Sequence, residues 1–495
     1  MSNQNYLHLG GVHGVEAFQH HLREHQIVIP CDVELEAGSN SPLARPLTTN
    51  GLRIGNRFAI HPMEGWDGTL DGKPTELTTR RWRNFGRSGA KLIWGGEAVA
   101  VLHEGRANPN QLLINEHTRD DLSRLRDALI DEHRKATASV DDLVIGLQLT
   151  HSGRYSQPNV KGRPEPRILY HHPFLDRRVG LNADHPPLTD GELREIVESF
   201  HRAARIAHEI GFDFVDVKHC HGYLGHEFLS AHTREGDYGG SFANRTRFLT
   251  EVVEGIRATA PGLEIGVRLS AFDTVPFRPD PERSAPGKPG PGIPEAYDEL
   301  LPYRWGFGVN VNDPVEIDLT EAERFFSLLH ELGIWLVNIS AGSPYYNPHV
   351  QRPTLFPPSD GYLPPEDPLV GVARQMGAAR ALKLRFPDMT IVGTAYTYLQ
   401  DFLPHVAQAA VRDGWVDSVG LGRMVLAYPE LPLQMLEGRK LDRKRLCRTF
   451  SDCTTAPRNG LPSGCYPLDT HYKKSEMAAQ LSEIKNRYRK ESAKA

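Results

Sequence analysis

From Gly51 onward, short apolar or β-branched segments alternate with longer amphipathic segments, a pattern typical of repeated βα units around a parallel sheet. Eight such segments favour a closed (β/α)8 barrel, the TIM barrel of the α/β class, over an open doubly wound sheet. One helix is predicted from Asp190 to Ile210, with Asp190 as its cap and Gly211 at its end. The predicted strands are Arg57–Pro62, Lys91–Gly95, Leu143–Thr150, Phe214–Lys218, Glu264–Ser270, Trp335–Ser340, Met389–Gly393 and Ser418–Gly420.

Polar residues cluster where the predicted strands end. The segments His61–Trp66, Gln148–Arg154 and Lys218–Tyr223 each lie at or just after a strand C-terminus. Because the C-terminal rim of a (β/α)8 barrel is where such enzymes build their active sites, this clustering predicts one site at that rim.

The chain divides into three predicted parts. Residues 1–48 form a polar, His-rich N-terminal extension, residues 49–440 form the barrel, and residues 441–495 form a C-terminal extension with three cysteines and a charged helical tail. The segment Phe272–Pro302 is rich in proline and glycine and is expected to be a long ordered rim loop or a mobile lid. We expect this loop and the N-terminal extension to cover the pocket, and the tail to pack on the outside of the barrel or on a second subunit.

Composition excludes several classes of partner. The net charge of −5 gives no reason to expect nucleic acid or an anionic membrane. No apolar run approaches the roughly 20 residues that span a bilayer, and residues 1–30 lack the pattern of a signal peptide. We therefore expect a cytoplasmic enzyme that acts on a small molecule and can form a homo-oligomer. No strand is followed by a GxGxxG fingerprint, so a separate dinucleotide-binding domain is not expected.

Seven motifs, in order, resemble the Old Yellow Enzyme group of FMN-dependent NADH:flavin oxidoreductases over roughly Pro42 to Pro432. The resemblance implies an FMN-binding TIM barrel that exchanges hydride between a nicotinamide, NADH or NADPH, and a small organic substrate. The motifs are NRFAIHPMEG (Asn56–Gly65), GGEAVAV (Gly95–Val101), LQLTHSGR (Leu147–Arg154), HGYLGHEFLS (His221–Ser230), DYGGSFANRTRF (Asp237–Phe248), VRLS (Val267–Ser270) and VGLGRMVLAYPELP (Val419–Pro432).

The same resemblance implies a set of FMN-binding residues. Gly393, Gly422 and Arg423, in the last two βα loops, suit the phosphate because backbone N–H groups and a cation can approach it there. Gln148 offers a donor and an acceptor to the pyrimidine edge, and Arg268 offers a cation near N1 and O2. The glycines could instead form ordinary turns, and Arg268 an internal salt bridge. The ring edge is expected to contact Pro62, Met63 and Ala98.

Four residues are candidates for catalysis. His221 matches the second substrate-binding position of the family and Tyr223 its proton donor, but Lys218 stands where the family has a histidine. Lys218 could stabilise a substrate oxygen, prefer an anionic substrate, act as a base or simply extend to solvent. Glu64 replaces the family's usual Thr or Cys near the flavin, and it could modulate the flavin or pair with Lys218.

The C-terminal extension carries a degenerate cysteine motif. Larger relatives hold a [4Fe–4S] cluster with a C-x2-C-x2-C-x11-12-C run, and here Phe450 occupies the second position between Cys447 and Cys453, with Cys465 last. An iron–sulfur cluster is therefore not expected, no metal site is assigned, and the thiols are expected to be buried and free rather than to form a three-ligand site.

The leading hypothesis is an FMN-dependent oxidoreductase that uses NAD(P)H to reduce an activated C=C bond of a small enone- or enoate-type substrate. The close alternative is a flavin-dependent amine or alcohol dehydrogenase of the same family. A remote alternative is a flavin-free lyase in which Lys218 forms a Schiff base.

Overall fold

The chain forms the predicted closed parallel barrel. The computed structural model describes residues 6–285, 288–359 and 361–494, with side chains described up to Arg487. The barrel closes because the last strand pairs with the first, with Gly420 opposite Ala59, and every neighbouring pair is parallel. The barrel strands are β3 (Phe58–Ile60), β4 (Leu92–Ile93), β5 (Ala98–Ala100), β6 (Val144–Thr150), β7 (Phe214–Val217), β8 (Glu264–Ser270), β11 (Leu336–Ser340), β12 (Thr390–Gly393) and β13 (Ser418–Leu421), and two hairpins are formed by β1 (Leu47–Thr49) with β2 (Leu52–Ile54) and by β9 (Phe277–Pro279) with β10 (Gly292–Pro294).

Strands β4 and β5 are two halves of one barrel strand, because both pair with β6. The interruption lies at Gly95 and Gly96, which have φ values of 154° and 50°. A Cβ atom on Gly95 would lie 2.8 Å from the backbone nitrogen of Gln148, so a larger residue would not fit there. The predicted strand Lys91–Gly95 is therefore shorter than expected, and a bulge before β5 sets the position of Glu97.

The helices pack outside the barrel, and one predicted cap is wrong. Thr189, not Asp190, caps α5: its hydroxyl accepts from the Glu192 N–H at 3.2 Å, and Glu192 accepts from the Thr189 N–H at 2.8 Å. The reciprocal capping box therefore places the cap one residue earlier than the sequence pattern suggested, and the helix begins at Asp190 itself. The helices are α1 (Val15–Glu24), α2 (Glu76–Arg87), α3 (Arg119–Thr137), α4 (Leu175–Arg178), α5 (Asp190–Glu209), α6 (Leu224–Leu229), α7 (Phe242–Thr259), α8 (Thr320–Glu331), α9 (Pro348–Gln351), α10 (Pro368–Arg385), α11 (Leu403–Arg412), α12 (Arg423–Ala427), α13 (Leu431–Leu436), α14 (Asp452–Arg458), α15 (Thr470–Lys473) and α16 (Glu476–Lys494).

The N-terminal end of the barrel is closed by an apolar layer. The β1–β2 hairpin places Ile54 against Trp94 and Phe214, which meet edge to face with ring centroids 5.3 Å apart. Burying each of these side chains stabilises the fold by roughly 1.5–3 kcal/mol. Because this end is filled with apolar side chains, the opposite, C-terminal end is left to form a site.

The N-terminal extension packs beside the barrel rather than over its pocket. Phe18 of α1 stacks on Phe402 with ring centroids 4.3 Å apart, and Gln408 of α11 donates to Asp32 at 2.7 Å. None of its described residues lines the cavity described below, so the expectation that it covers the pocket is wrong. The predicted rim segment does contribute to the cavity, through Phe277–Pro279 and Glu295.

The C-terminal extension runs along the rim and down the outside of α2. Ser463 donates its N–H to the Gly65 carbonyl at 2.7 Å, and Arg80 pairs with Asp469 at 2.8 Å. Of the helices that the structure describes, none combines the length and the apolar character needed to cross a membrane. The boundaries of the three parts stay a prediction, since the extension and the barrel pack together along this surface.

Candidate active site

One cavity of about 740 Å³ opens at the C-terminal end of the barrel strands. It is lined by residues from the strand ends, the rim segment and the C-terminal extension. All the predicted site residues except Gly393 line it: Glu64, Lys218, His221 and Tyr223 of the catalytic candidates, and Pro62, Met63, Ala98, Gln148, Arg268, Gly422 and Arg423 of the cofactor candidates.

Gly393 lies just behind the cavity wall. A Cβ atom there would lie 2.8 Å from Val416 and 3.0 Å from the Tyr396 hydroxyl, so this glycine permits close packing, while its neighbour Thr394 lines the cavity. Gly422 is different, because a Cβ atom there would meet nothing closer than 3.9 Å. The open position at Gly422, followed by Arg423, leaves room for an anionic group to approach the backbone.

A buried aspartate that the sequence analysis missed holds the predicted cofactor residues in place. Asp216 on β7 accepts hydrogen bonds from Gln148 Nε2 at 2.6 Å, Trp94 Nε1 at 2.7 Å and the Arg268 N–H at 2.7 Å. Burial raises the pKa of Asp216 to about 6. Because its amide NH2 donates to Asp216, Gln148 is oriented with its oxygen available as an acceptor. A carboxylate inside the apolar strand Phe214–Val217 was the available signal.

Two buried donors in the cavity lack protein partners among the described residues. Arg268 is 6% exposed, and its Nε has no hydrogen-bond partner. His61 accepts at Nδ1 from Asn338 Nδ2 at 3.0 Å, and its Nε2 has no partner. Burial, with Arg268 nearby, lowers the pKa of His61 well below its usual value, so the ring is neutral and carries its proton on Nε2. Unpaired buried donors are costly, which indicates that a bound group satisfies them.

Lys218, Glu64 and Tyr223 form a compact network on the substrate side. Lys218 Nζ lies 3.3 Å from Glu64 Oε1 and 3.8 Å from the centroid of the Tyr223 ring. The Tyr223 hydroxyl donates to Glu64 Oε2 at 3.0 Å. Of the alternatives for Lys218 and Glu64, the structure therefore contains the ion pair, and Lys218 is buried rather than extended to solvent.

His221 is held by hydroxyl groups in a left-handed backbone conformation, with φ of 66°. Its N–H donates to Ser270 Oγ at 3.0 Å, and its Nε2 lies 2.7 Å from Ser340 Oγ. Burial and the nearby cations Arg268 and Lys218 lower the pKa of His221 well below its usual value. The ring is therefore neutral, and a strained backbone that costs of order 1–3 kcal/mol at a cavity wall is typical of a functional position.

Tyr345 completes the wall beside Tyr223, and sequence reasoning missed it. The two hydroxyls lie 2.7 Å apart, and the Tyr345 ring stacks on Tyr155 with centroids 3.9 Å apart. The Tyr155 hydroxyl has no hydrogen-bond partner among the described residues. Tyr345 follows β11 in the sequence AGSPYYN, so its place after a strand end was the signal.

The degenerate cysteine motif lies at the edge of the cavity. Cys453 lines it, whereas Cys447 and Cys465 are buried, and burial raises the pKa of Cys447 to about 11. Nearby Arg352 is buried and donates to Ser451 Oγ at 2.8 Å. Within residues 6–285, 288–359 and 361–494, no group of three or more His, Cys, Asp or Glu residues is arranged to hold a metal ion. That the motif holds no iron–sulfur cluster stays a prediction.

Comparisons with known proteins agree with this architecture. The NADH:flavin oxidoreductase / NADH oxidase family matches residues 42–280. The NADPH dehydrogenase of Geobacillus sp. (strain WCH70) is 33% identical over 246 residues, covering 47% of this chain and 64% of that relative. The chain thus spans slightly less than two thirds of that relative's length.

Two solved structures share the fold. A 2-naphthoyl-CoA reductase in complex with 2-naphthoyl-CoA superposes with a TM-score of 0.62 and 18% identity, covering 87% of this chain and 57% of that one. Histamine dehydrogenase from Rhizobium sp. 4-9 gives a TM-score of 0.59 at 20% identity, covering 86% and 52%. At these identities the similarity confirms the barrel fold only, and any statement about the chemistry has to be argued from the residues of this chain.

Proposed function

Since residues 42–280 of this chain match the NADH:flavin oxidoreductase / NADH oxidase family, we propose that it is an FMN-dependent oxidoreductase that uses NAD(P)H to reduce an activated C=C bond. The family match supports the flavin and the nicotinamide. The choice of a small enone- or enoate-type substrate rests on the residues around Tyr223, and we include a small-molecule partner and a possible homo-oligomer in the proposal.

The cavity fits FMN at the positions that a flavin requires. The unpartnered donors of Arg268 and His61 can satisfy acceptor atoms of its ring, and the oriented Gln148 oxygen can accept from a ring N–H. The open position at Gly422 and the guanidinium of Arg423 suit its phosphate. When bound, FMN supplies the site that accepts hydride from the nicotinamide and delivers it to the substrate.

The observation that carries the proposal is the position of the Tyr223 hydroxyl at the cavity wall, 3.0 Å from Glu64 Oε2 and 2.7 Å from the Tyr345 hydroxyl. Burial, together with the nearby Glu64 carboxylate and Tyr345, raises the pKa of Tyr223 well above its usual value. The hydroxyl therefore keeps its proton at neutral pH until a stronger base forms beside it. A carbanion or enolate carbon is such a base, so Tyr223 is positioned to protonate the substrate carbon.

The neighbouring residues hold the substrate oxygen and return the proton. Lys218 and neutral His221 line the same part of the cavity and can donate to a carbonyl or carboxylate oxygen where negative charge gathers. Tyr345, with its hydroxyl 2.7 Å from that of Tyr223, can pass a proton to Tyr223 after the transfer. This arrangement favours reduction of an alkene conjugated to an anionic or polar group.

Alcohol oxidation is the second candidate. It is favoured by Glu64, whose Oε2 lies 3.0 Å from the Tyr223 hydroxyl and can accept a proton through it. An amine is less suitable, because the described cavity lining contains nine lysines and arginines and two glutamates. The Schiff-base alternative is disfavoured because an ammonium paired with a carboxylate is not a nucleophile.

The test separates the two half-reactions. In anaerobic stopped-flow experiments, Tyr223→Phe is expected to slow reoxidation of the reduced enzyme by an enoate by about 10²-fold or more, while reduction by NAD(P)H stays within about twofold. Tyr155→Phe is the matched control, because it removes a buried hydroxyl without a partner from the same aromatic wall. Equal rates of reoxidation by the enoate in the two variants would contradict the assignment of Tyr223 as the proton donor.

A further inference from the structure

The charge of the cavity is opposite to that of the chain. The described lining has nine cationic and two acidic side chains, whereas the whole chain has a net charge of −5. The inner cations Lys218, Arg268 and Arg423 are accounted for by the proposed active site. A second group of cationic side chains lies at the mouth of the cavity and has no role in that chemistry.

This second group is formed by Arg177, Arg178 and Arg278 around Glu295, and we call it the mouth cluster. Arg177 Nη2 lies 2.6 Å from Glu295 Oε2, Arg178 Nη2 lies 2.8 Å from Oε1, and Arg278 Nε lies 3.4 Å from Oε2. All four residues line the cavity. Three cations and one anion leave the cluster with two uncompensated positive charges.

The mouth cluster is built into the fold at the outer end of the Tyr223 wall. Arg178 also donates to the Phe277 carbonyl at 2.8 Å, and Phe277 in turn donates its N–H to the Tyr346 carbonyl at 2.9 Å. The neighbouring Tyr345 makes the hydrogen bond to Tyr223. Glu295 is 5% exposed, whereas the Arg177 side chain is 60% exposed, so the carboxylate anchors the cluster and the guanidinium groups face the opening.

Glu295 cannot neutralise its three partners. Its burial alone would raise its pKa, but the hydrogen bonds from Arg177 and Arg178 outweigh that effect and hold the pKa of Glu295 below its usual value. The carboxylate is therefore ionised at neutral pH and contributes a single negative charge. Each guanidinium has five N–H donors, most of which are not used by Glu295. Mutual repulsion among the arginines would be relieved by a bound dianion.

We propose that the mouth cluster binds the 2′-phosphate of NADPH and so makes this enzyme select NADPH over NADH. A phosphate monoester carries about 1.5 to 2 negative charges near pH 7, which matches the excess charge of the cluster. Guanidinium groups bind phosphate through paired, charge-assisted hydrogen bonds. The inference rests on the proposed function for the identity of the reductant, while the anion site itself rests on the geometry of the cluster.

The first test measures binding without turnover. Adenosine 2′,5′-bisphosphate and adenosine 5′-monophosphate are titrated into the FMN-loaded protein by calorimetry, in the wild type and in Arg177→Gln/Arg278→Gln. The bisphosphate is expected to bind the wild type about tenfold or more tightly than the monophosphate, and the double variant is expected to lose that difference. Arg124→Gln is the control, since Arg124 is 68% exposed on α3 and pairs with Asp121 away from the cavity.

The second test compares reduction of the bound flavin by NADPH and NADH. The double variant is expected to raise the apparent Kd for NADPH about tenfold and to leave that for NADH within about twofold. Equal binding of the two nucleotides by the wild type, or an unchanged difference in the double variant, would overturn the proposal. If the wild type binds the bisphosphate more tightly than the monophosphate but neither NADPH nor NADH bleaches the flavin, the phosphate site is supported and the proposed function is contradicted. If NADPH and NADH bleach the flavin equally and the double variant changes neither reaction, the proposed function is supported and the phosphate site is contradicted.

Discussion

Lys218 and Glu64, the two positions at which the sequence analysis expects a departure from the family pattern, lie 3.3 Å apart in the structure. Neither residue is readily explained alone, because a buried charge without a partner is strongly destabilising. The pair also flanks Tyr223, so the cation contacts the ring and the carboxylate accepts from its hydroxyl. A change at one of the two positions is therefore expected to require a change at the other.

Lys218→Met is expected to retain FMN and to lower turnover about tenfold or more, because it removes the cation that faces the charge developing on the substrate oxygen. The single variant also leaves the half-buried Glu64 carboxylate without its counter-charge, at a cost to stability below the about 3–5 kcal/mol of a fully buried pair. Lys218→Met/Glu64→Gln removes that cost and is expected to recover stability but not turnover, as measured by thermal unfolding and steady-state rates. Recovery of turnover in the double variant would show that Lys218 only neutralises Glu64.

At the scale of elements, the bulge between β4 and β5 joins three segments around Arg81. Glu97, placed by the bulge, and Asp67 share the buried Arg81 guanidinium, with Arg81 Nη1 2.6 Å from Asp67 Oδ2. Glu97 Oε2 also accepts the Gly65 N–H at 3.0 Å. One arginine thus connects α2, the bulge and the loop that carries Glu64, and one of the two carboxylates is left without a full counter-charge.

Glu97 is expected to make stability pH-dependent. Burial raises its pKa from 4.5 to about 8, so between these values the folded state binds more protons than the unfolded state. The wild type should therefore lose stability as the pH rises through that window, by at most about 1.4 kcal/mol per pH unit. Glu97→Gln lacks this titration and should become more stable relative to the wild type from pH 5 to 8, in denaturant unfolding measured at each pH.

Glu76→Gln is the matched control for this prediction, because Glu76 lies on α2, the helix that carries Arg81, and its side chain is 80% exposed. Its stability difference from the wild type should not change with pH in that range. A wild type that is as stable relative to Glu97→Gln at pH 8 as at pH 5 would contradict the assignment of a raised pKa to Glu97.

The strands and most of the cavity could be predicted from the sequence because both follow from local patterns. Buried parallel strands are apolar, as in Phe58–Ile60, and functional side chains such as His221 follow strand ends. Asp216 and Tyr345 each carried a positional signal, but their roles could not be predicted because these roles depend on partners distant in the chain. The mouth cluster was also missed, since Arg177 and Arg278 meet only when two separate rim loops converge.

For the whole molecule, the cavity is a joint product of the barrel and its additions. The strand ends provide the inner residues, α4 and the rim segment together provide the mouth cluster, and the C-terminal extension provides Thr449, Cys453 and Arg458. Arg352 on the barrel side donates to Ser451 in the extension, which fixes this side of the wall. The lining of the cavity therefore depends on the assembled chain rather than on residues 42–280 alone.

We propose that this assembled cavity binds FMN and passes reducing equivalents from a nicotinamide to an activated alkene. The most direct test is the anaerobic visible absorption spectrum of the purified full chain with FMN, recorded before and after adding NADPH and again after adding an enoate. We expect a flavin spectrum that stays with the protein through gel filtration, bleaches when NADPH is added and returns when the enoate is added. A chain that retains no FMN, or bound FMN that NADPH and NADH leave oxidised, would contradict it.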